Sequence, residues 1–311
     1  MSSALVLGTR GSGLTTFVGL LYTAQVRLGT QDSDEFRFHA DRESIRQLEA
    51  IYGELGAGRF PVRDANWEEH PVSFVFAFRH GVLRGLGRSG GRSAGGFDTV
   101  RVQVGGMPTD EVAELREHDA VLEESTRRLL RSQVILPLID ATSLDPEPDP
   151  SRSPRLSRDD RVLAETLDLL GGFLAAEPER RSRRMYPVFI VTKVDEFSRD
   201  TLRQLEAPSG IPGSWTREAR RAFGGRLLNR YFPLTARFLE TPRVHTGLTV
   251  APSDWFFSSL STEDSGGDLR IERRSLAPAG GWEPEYPFEE YRALIGKLGQ
   301  LAHRLPADAA A

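Results

Sequence analysis

A glycine-rich stretch near the amino terminus has the residue types that bind an anionic group. Gly8 and Gly13 are five positions apart and Thr15 follows them, between the apolar run Ala4 to Leu7 and a helical pattern that begins at Leu14. Glycines at this spacing let the backbone wrap a phosphate with its N–H groups, and the following helix adds the positive end of its dipole. A hydroxyl in the first helical turn can bind Mg²⁺. We therefore expect a phosphate site, with Thr15 as the Mg²⁺ ligand, built from Gly8, Arg10, Gly11, Ser12, Gly13, Leu14, Thr15 and Thr16.

Position 14 departs from this phosphate-loop pattern. The pattern has a lysine that reaches the terminal phosphates, and this chain has Leu14, whose side chain carries no donor. Loss of one charge-assisted contact to a phosphate costs about 2–4 kcal/mol, and Arg10 is the nearest cation that could substitute. The alternative is an ordinary glycine-rich turn between a strand and a helix, with no nucleotide.

A second motif, Thr192-Lys193-Val194-Asp195, ends an apolar strand pattern. A carboxylate such as Asp195 accepts hydrogen bonds from both the ring N–H and the exocyclic amino group of guanine, a pair that adenine does not offer. A lysine stem covers the base, and Lys193 is one of only two lysines in the chain. The alternative is an exposed turn that starts a helix, with Asp195 or Ser198 as its cap. Together with the glycine loop, the motif favours GTP or GDP as the ligand.

The elements that position these motifs alternate along the chain. Apolar periodicity predicts strands over 4–7, 72–78, 99–104, 134–139, 186–192 and 254–258, and helices over 14–27, 41–55, 110–131, 158–176, 217–239 and 288–303. This order predicts an α/β fold: a mainly parallel sheet with one antiparallel hairpin, 72–78 with 99–104, and helices on both faces. Ligands of such sheets bind beyond the carboxyl ends of the strands. We expect one domain over 1–305, a mobile Pro-rich loop near 145–157 and a disordered tail, 306–311.

Composition excludes several classes of partner. The 311 residues include 40 basic and 44 acidic side chains, a net charge of −4, which gives no field that would attract nucleic acid or a membrane. The chain has no cysteine, so disulfides and thiolate metal sites are excluded. No apolar run is long enough for a secretory leader or a membrane span. We expect a cytoplasmic protein.

The two motifs, in this order, resemble the TRAFAC-type GTPase domain of the P-loop NTPases, and most nearly its bacterial double-GTPase group. The resemblance runs from Leu5 to about Leu301. Gly58-Arg59-Phe60-Pro61 is similar to the segment that leads into the first switch, and Phe256-Phe257-Ser258-Ser259 is similar to the strand and loop that support the base. The resemblance implies a Ras-like architecture, bound guanine nucleotide with Mg²⁺, and Ser258 and Ser259 beside the base.

Three departures from that family concern catalysis. Besides Leu14, the stretch Val62 to His70 has no Ser or Thr to serve as the switch threonine, and Gln103 stands where the DxxG motif has its carboxylate. Asp140, which resembles the family's D-A-[ST] motif, could compensate as a metal ligand or be an ordinary strand-end turn residue. Since these groups stabilise charge during phosphoryl transfer, we expect weak or absent hydrolysis.

Three functional hypotheses remain open from the sequence. The first is a guanine-nucleotide-binding regulatory or assembly subunit that acts beside a protein partner, such as an intact GTPase. The second is an active GTPase that needs a partner. The third is a nucleotide-free interaction module, a pseudo-GTPase in which Leu14 packs over an emptied pocket.

Overall fold

Continuous apolar runs and alternating runs of the sequence form strands of one central sheet. The computed structural model describes residues 2–9, 11–30, 36–62, 71–79, 97–106, 132–144, 152–176, 184–209, 212–241, 247–266, 268–275 and 281–305. Their strands are β1 (Ser2–Gly8), β2 (Phe36–Ala40), β3 (Ser73–Arg79), β4 (Phe97–Gly106), β5 (Val134–Asp140), β6 (Arg184–Thr192), β7 (Thr249–Val250), β8 (Asp254–Phe257), β9 (Thr262–Ser265), β10 (Asp268–Ile271), β11 (Arg273–Ser275) and β12 (Trp282–Pro284).

The central sheet is mixed, with eight strands. Its order is β2-β3-β4-β1-β5-β6-β7, and β8 also pairs with β6. β6 runs parallel to β5, β7 and β8, whereas β3 runs antiparallel to β2 and β4. The predicted α/β fold class is therefore confirmed, and so is the predicted hairpin, which is β3 with β4. β2, which was not predicted, extends that hairpin to three antiparallel strands.

Helices surround the sheet. They are α1 (Leu14–Thr30), α2 (Arg42–Gly56), α3 (Arg152–Ala176), α4 (Arg199–Gln204), α5 (Arg217–Tyr231), α6 (Pro233–Glu240) and α7 (Phe288–Arg304). The predicted helix 217–239 is two helices, because Pro233 lacks the N–H that would continue α5 and instead starts α6. None of the helices in the described ranges is long and apolar enough to cross a bilayer.

The chain divides into two compact units. The first consists of Met1–Ala4, Thr15–Gly105 and Leu260–Ala311, and the second of Leu5–Leu14 and Gly106–Ser259. In the first unit, aromatic side chains of β2 and β3 pair across the strands; for example, the rings of Phe38 and Phe74 are 5.3 Å apart.

The second unit holds both sequence motifs. All seven residues of β5 are buried, as expected for a parallel strand covered on both faces. One buried cluster joins β5, β6 and β8 to α5, and in it the ring of Phe189 stacks on Trp255 at 4.6 Å. Another joins Leu5 and Leu7 of β1 to Leu167 and Leu170 of α3. These clusters fix the strands whose carboxyl ends carry the candidate site.

The structure changes one predicted boundary of this unit. α3 begins at Arg152 rather than near Arg158, so residues 152–157 are helical and the loop predicted over 145–157 is wrong for that part. The helix predicted over 110–131, residues 145–151 and the tail 306–311 lie outside the described residues.

Candidate functional site

The glycine loop after β1 has a backbone that only glycine adopts readily at two positions. Gly11 and Gly13 have φ of 86° and 77°, whereas Ser12 between them is not among the described residues of positive φ. Such alternation turns successive N–H groups toward one side, which is how a backbone forms an anion-binding concavity. In this loop the N–H of Ser12 donates to the Thr9 carbonyl oxygen at 3.0 Å, so that amide already has a partner.

Ser12 places a polar atom in a buried position. The side chain is 1% exposed, and its Oγ has no hydrogen-bond partner within the described part of the chain. It also lies 2.5 Å from where a β-carbon on Gly8 would stand, so a larger residue at position 8 is excluded. A buried hydroxyl without a partner is uncommon in folded proteins and is compatible with a polar group entering the loop from outside the chain.

The Thr192–Asp195 motif is hydrogen-bonded to this loop. Thr192 Oγ1 donates to the Ser12 carbonyl oxygen at 2.7 Å. Lys193 Nζ donates to the Gly11 carbonyl oxygen at 2.8 Å and to Asp140 Oδ2 at 2.9 Å. Lys193 has a φ of 55°, a left-handed conformation that costs a non-glycine residue free energy and occurs often at functional sites. Two motifs that are 182 residues apart in sequence therefore meet at one edge of the sheet.

Asp140 ends β5 directly beside this junction. It pairs in register with Thr192, is 5% exposed, and accepts hydrogen bonds at Oδ1 from the Thr142 amide and hydroxyl. Oδ2 faces Lys193, and Arg155 Nη2 is 3.7 Å away. The carboxylate thus closes the strand-end turn and orients Lys193.

The base-side residues lie next in the chain. Asp195 is exposed, within a short 3-10 helix that starts after Lys193. The loop after β8 lies against this turn, since the Val194 amide donates to the Ser258 carbonyl oxygen at 3.2 Å and the Ser258 amide donates to Val191 at 2.7 Å. The following residue, Ser259, is half-buried. Helix α4, a few residues on, takes Ser198 as its cap, as the alternative interpretation of the motif expected.

Arg155 is a site residue that the sequence did not indicate. Its Nη2 lies 3.2 Å from the position that a β-carbon on Gly11 would take. The side chain is 44% exposed and makes loose ion pairs, 3.7 Å to Asp140 and 3.8 Å from its Nε to Asp159. The guanidinium therefore lies beside the glycine loop from the first turns of α3.

A pocket opens on α3 at the start of the loop. Its volume is about 40 Å³, enough for a few water molecules. Its polar lining includes Thr9, Asp159 and Thr166, but neither Lys193 nor Asp195. Burial raises the pKa of Asp159, and the Asp140 charge adds to this while Arg155 opposes it.

The remaining predicted residues are less informative. Arg10 lies outside the described residues, as does the segment 63–70 where a switch threonine was sought. Thr15 and Thr16 are half-buried in the first turn of α1, and Leu14 is 7% exposed. Within the described ranges no group of three or more His, Asp or Glu side chains could hold a metal ion. Mg²⁺ at Thr15 stays a prediction.

Comparison with known proteins gives one distant structural likeness. No family model and no curated protein sequence matches the chain. Among solved structures, the chain is similar to one in the signal recognition particle receptor SRb-GTP/SRX complex from Chaetomium thermophilum, with 15% identity, 86% of this chain and 94% of that chain covered, and a TM-score of 0.37. Such a loose overlap carries no inference about this chain.

Proposed function

We propose that the second unit binds a guanine nucleotide between the glycine loop and the Thr192–Asp195 turn. The observation that carries the proposal is the pair of hydrogen bonds from Lys193 and Thr192 to the carbonyl oxygens of Gly11 and Ser12. Since both donors hold carbonyl oxygens, the loop is fixed from its carbonyl side. The phosphates then bind the amides of the loop and the amino-terminal end of α1.

The base lies on the other side of Lys193. Asp195 is exposed just beyond it and presents a carboxylate to the ring N–H and amino group of guanine, and the loop at Ser258 and Ser259 supports the base from β8. Since adenine lacks that pair of donors, the site selects guanine. When bound, Mg²⁺ neutralises phosphate charge, and the Thr15 hydroxyl is the group that holds it.

Turnover is weak or absent in this proposal, and the protein acts as a regulatory or assembly subunit for a protein partner. Leu14 removes the cation that the terminal phosphates need, and Gln103 in β4 supplies an amide where a metal-organising carboxylate is expected. Nucleotide in such a site stabilises one conformation without rapid hydrolysis.

A second candidate, a nucleotide-free interaction module, is favoured by a different observation. The loop is internally bonded, since the Ser12 amide reaches the Thr9 carbonyl oxygen and Leu14 is buried with its Cβ 3.2 Å from the β-carbon position on Gly8. In that case Leu14 is a core residue, and the motifs hold the loop closed.

The substitution Leu14→Lys separates the two candidates. If a nucleotide binds, the new ammonium group reaches its phosphates, and calorimetric titration shows GDP binding tightened about 30-fold or more, from ~2–4 kcal/mol of restored contact. If the loop is a closed module, the lysine buries a charge without a partner, so the free energy of unfolding falls and GDP has no effect. Mass analysis of nucleotide released from freshly purified wild-type protein provides an independent check.

A further inference from the structure

Arg155 is the described cation that lies against the glycine loop without donating to a loop carbonyl oxygen in any printed contact distance. Lys193 Nζ is already placed on the Gly11 carbonyl oxygen and on Asp140. Arg155 Nη2, in contrast, lies 3.2 Å from the β-carbon position of Gly11, so its guanidinium faces the backbone atom from which a side chain would grow.

Two carboxylates hold Arg155 there only loosely. Its distances to Asp140 and Asp159 are 3.7 and 3.8 Å, whereas a charge-assisted hydrogen bond is about 2.7–2.9 Å long. Burial raises the pKa of Asp159, so one of these partners is itself a weakened counter-ion. An anion at the loop can therefore attract the guanidinium without breaking a short ion pair.

We propose that Arg155 supplies the phosphate-binding cation that Leu14 has removed from the loop. This inference rests on the proposed nucleotide site and assigns its phosphate contact to a side chain from α3. A guanidinium has five N–H donors in a planar fork, so it can bind two phosphate oxygens while it stays near Asp140. The cation then comes from the second unit, 141 positions after the leucine, the difference between 155 and 14.

The test measures how the affinity of a guanine ligand depends on its phosphates. Guanosine, GMP and GDP are titrated calorimetrically into the wild-type chain, Arg155→Gln, Arg155→Lys and the control Arg161→Ala, an exposed arginine on the same helix. We expect Arg155→Gln to weaken GDP about 10- to 100-fold and guanosine less than about twofold, since a hydrogen bond to a charged group contributes ~1.5–3 kcal/mol. Arg155→Lys recovers part of the GDP affinity, and Arg161→Ala changes neither ligand.

The outcomes separate this inference from the site on which it rests. If the wild-type chain binds GDP but Arg155→Gln loses no more GDP affinity than Arg161→Ala, Arg155 is not the phosphate cation, whereas the site stands. If guanosine and GDP weaken equally, Arg155 acts on the shape of the loop and the inference is wrong. If the wild-type chain binds no guanine ligand, the nucleotide site and the inference both fail. Circular dichroism of each variant verifies that it is folded.

Discussion

Lys193 connects three parts of the site through one ammonium group. Its two hydrogen bonds join the turn after β6 to the Gly11 carbonyl oxygen and to the carboxylate that ends β5. Asp140 has a nearly buried side chain, so removal of Lys193 leaves a desolvated charge with less compensation. The side chain of Lys193 is 39% exposed, which reduces the effect relative to a fully buried pair.

Substitution of this lysine therefore destabilises the fold. We expect Lys193→Met to lower the free energy of unfolding by about 1–3 kcal/mol in urea titrations. In the double variant Lys193→Met with Asp140→Asn the loss is smaller than the sum of the two single losses, because the buried charge is gone. Arg203→Ala, whose ion pair with Asp200 is exposed on both sides, should change stability by less than about 0.5 kcal/mol. Additive losses in the double variant would show that the pair is not coupled.

Asp159 gives the stability of the protein a dependence on pH. Burial raises the pKa of this carboxyl above its ordinary value of 3.8, so in a window above that pH the folded state binds more protons than the unfolded state. The contribution of Asp159 to the free energy of unfolding therefore falls as the pH rises through the window, and above it the ionised group remains a constant cost.

Asp159→Asn imitates the protonated form and removes this titration. We expect the variant to be more stable than the wild type at pH 7, and the difference to shrink as the pH falls toward 3.8. Denaturant titrations at several pH values measure it. A difference that grows on acidification contradicts the direction of the pKa shift.

At the scale of elements, packing of α5 against β8 depends on a glycine. A β-carbon on Gly224 would lie 2.0 Å from the ring of Trp255, whereas one on Gly225 meets nothing within 4 Å. Close approach of the helix to the strand brings Trp255 onto Phe189.

The two neighbouring glycines form a matched pair of substitutions. Gly224→Ala should destabilise by about 1–3 kcal/mol through overpacking, and Gly225→Ala should stabilise by about 0.5–1 kcal/mol because alanine favours the helix. Thermal unfolding of both variants measures the difference. Stabilisation by both would mean that the indole moves away at little cost.

How well the elements were predicted depends on what positions them. The approach of the loop to Thr192–Asp195 followed from the rule that parallel strands end at one sheet edge, and the structure brings these residues together. Arg155 was missed because Pro154 favoured a loop, although a proline in the first turn costs a helix no hydrogen bond. The Asp140–Lys193 contact depends on the register of β5 with β6, which periodicity does not encode. β2 has five residues and β7 has two, too short for a pattern to identify.

At the scale of the whole molecule, the proposed role is that of a nucleotide-binding subunit with little turnover. We expect single-turnover GTP hydrolysis with Mg²⁺ to proceed no faster than the uncatalysed reaction, because Leu14 and Gln103 replace the groups that stabilise charge in phosphoryl transfer. Release of inorganic phosphate from purified protein measures this. Mg²⁺-dependent release that Thr15→Ala abolishes would instead indicate a working GTPase.

The most direct measurement is the base preference of wild-type protein and of Asp195→Asn, titrated calorimetrically with GDP, ADP and xanthosine diphosphate. Xanthine has a carbonyl oxygen where guanine has the amino group, so an asparagine amide matches it while a carboxylate repels it. A site that joins Asp195 to the glycine loop predicts that the wild type prefers GDP over both other ligands and that the variant prefers xanthosine diphosphate. A variant that holds GDP as tightly as the wild type, or a wild type that binds ADP equally well, contradicts it.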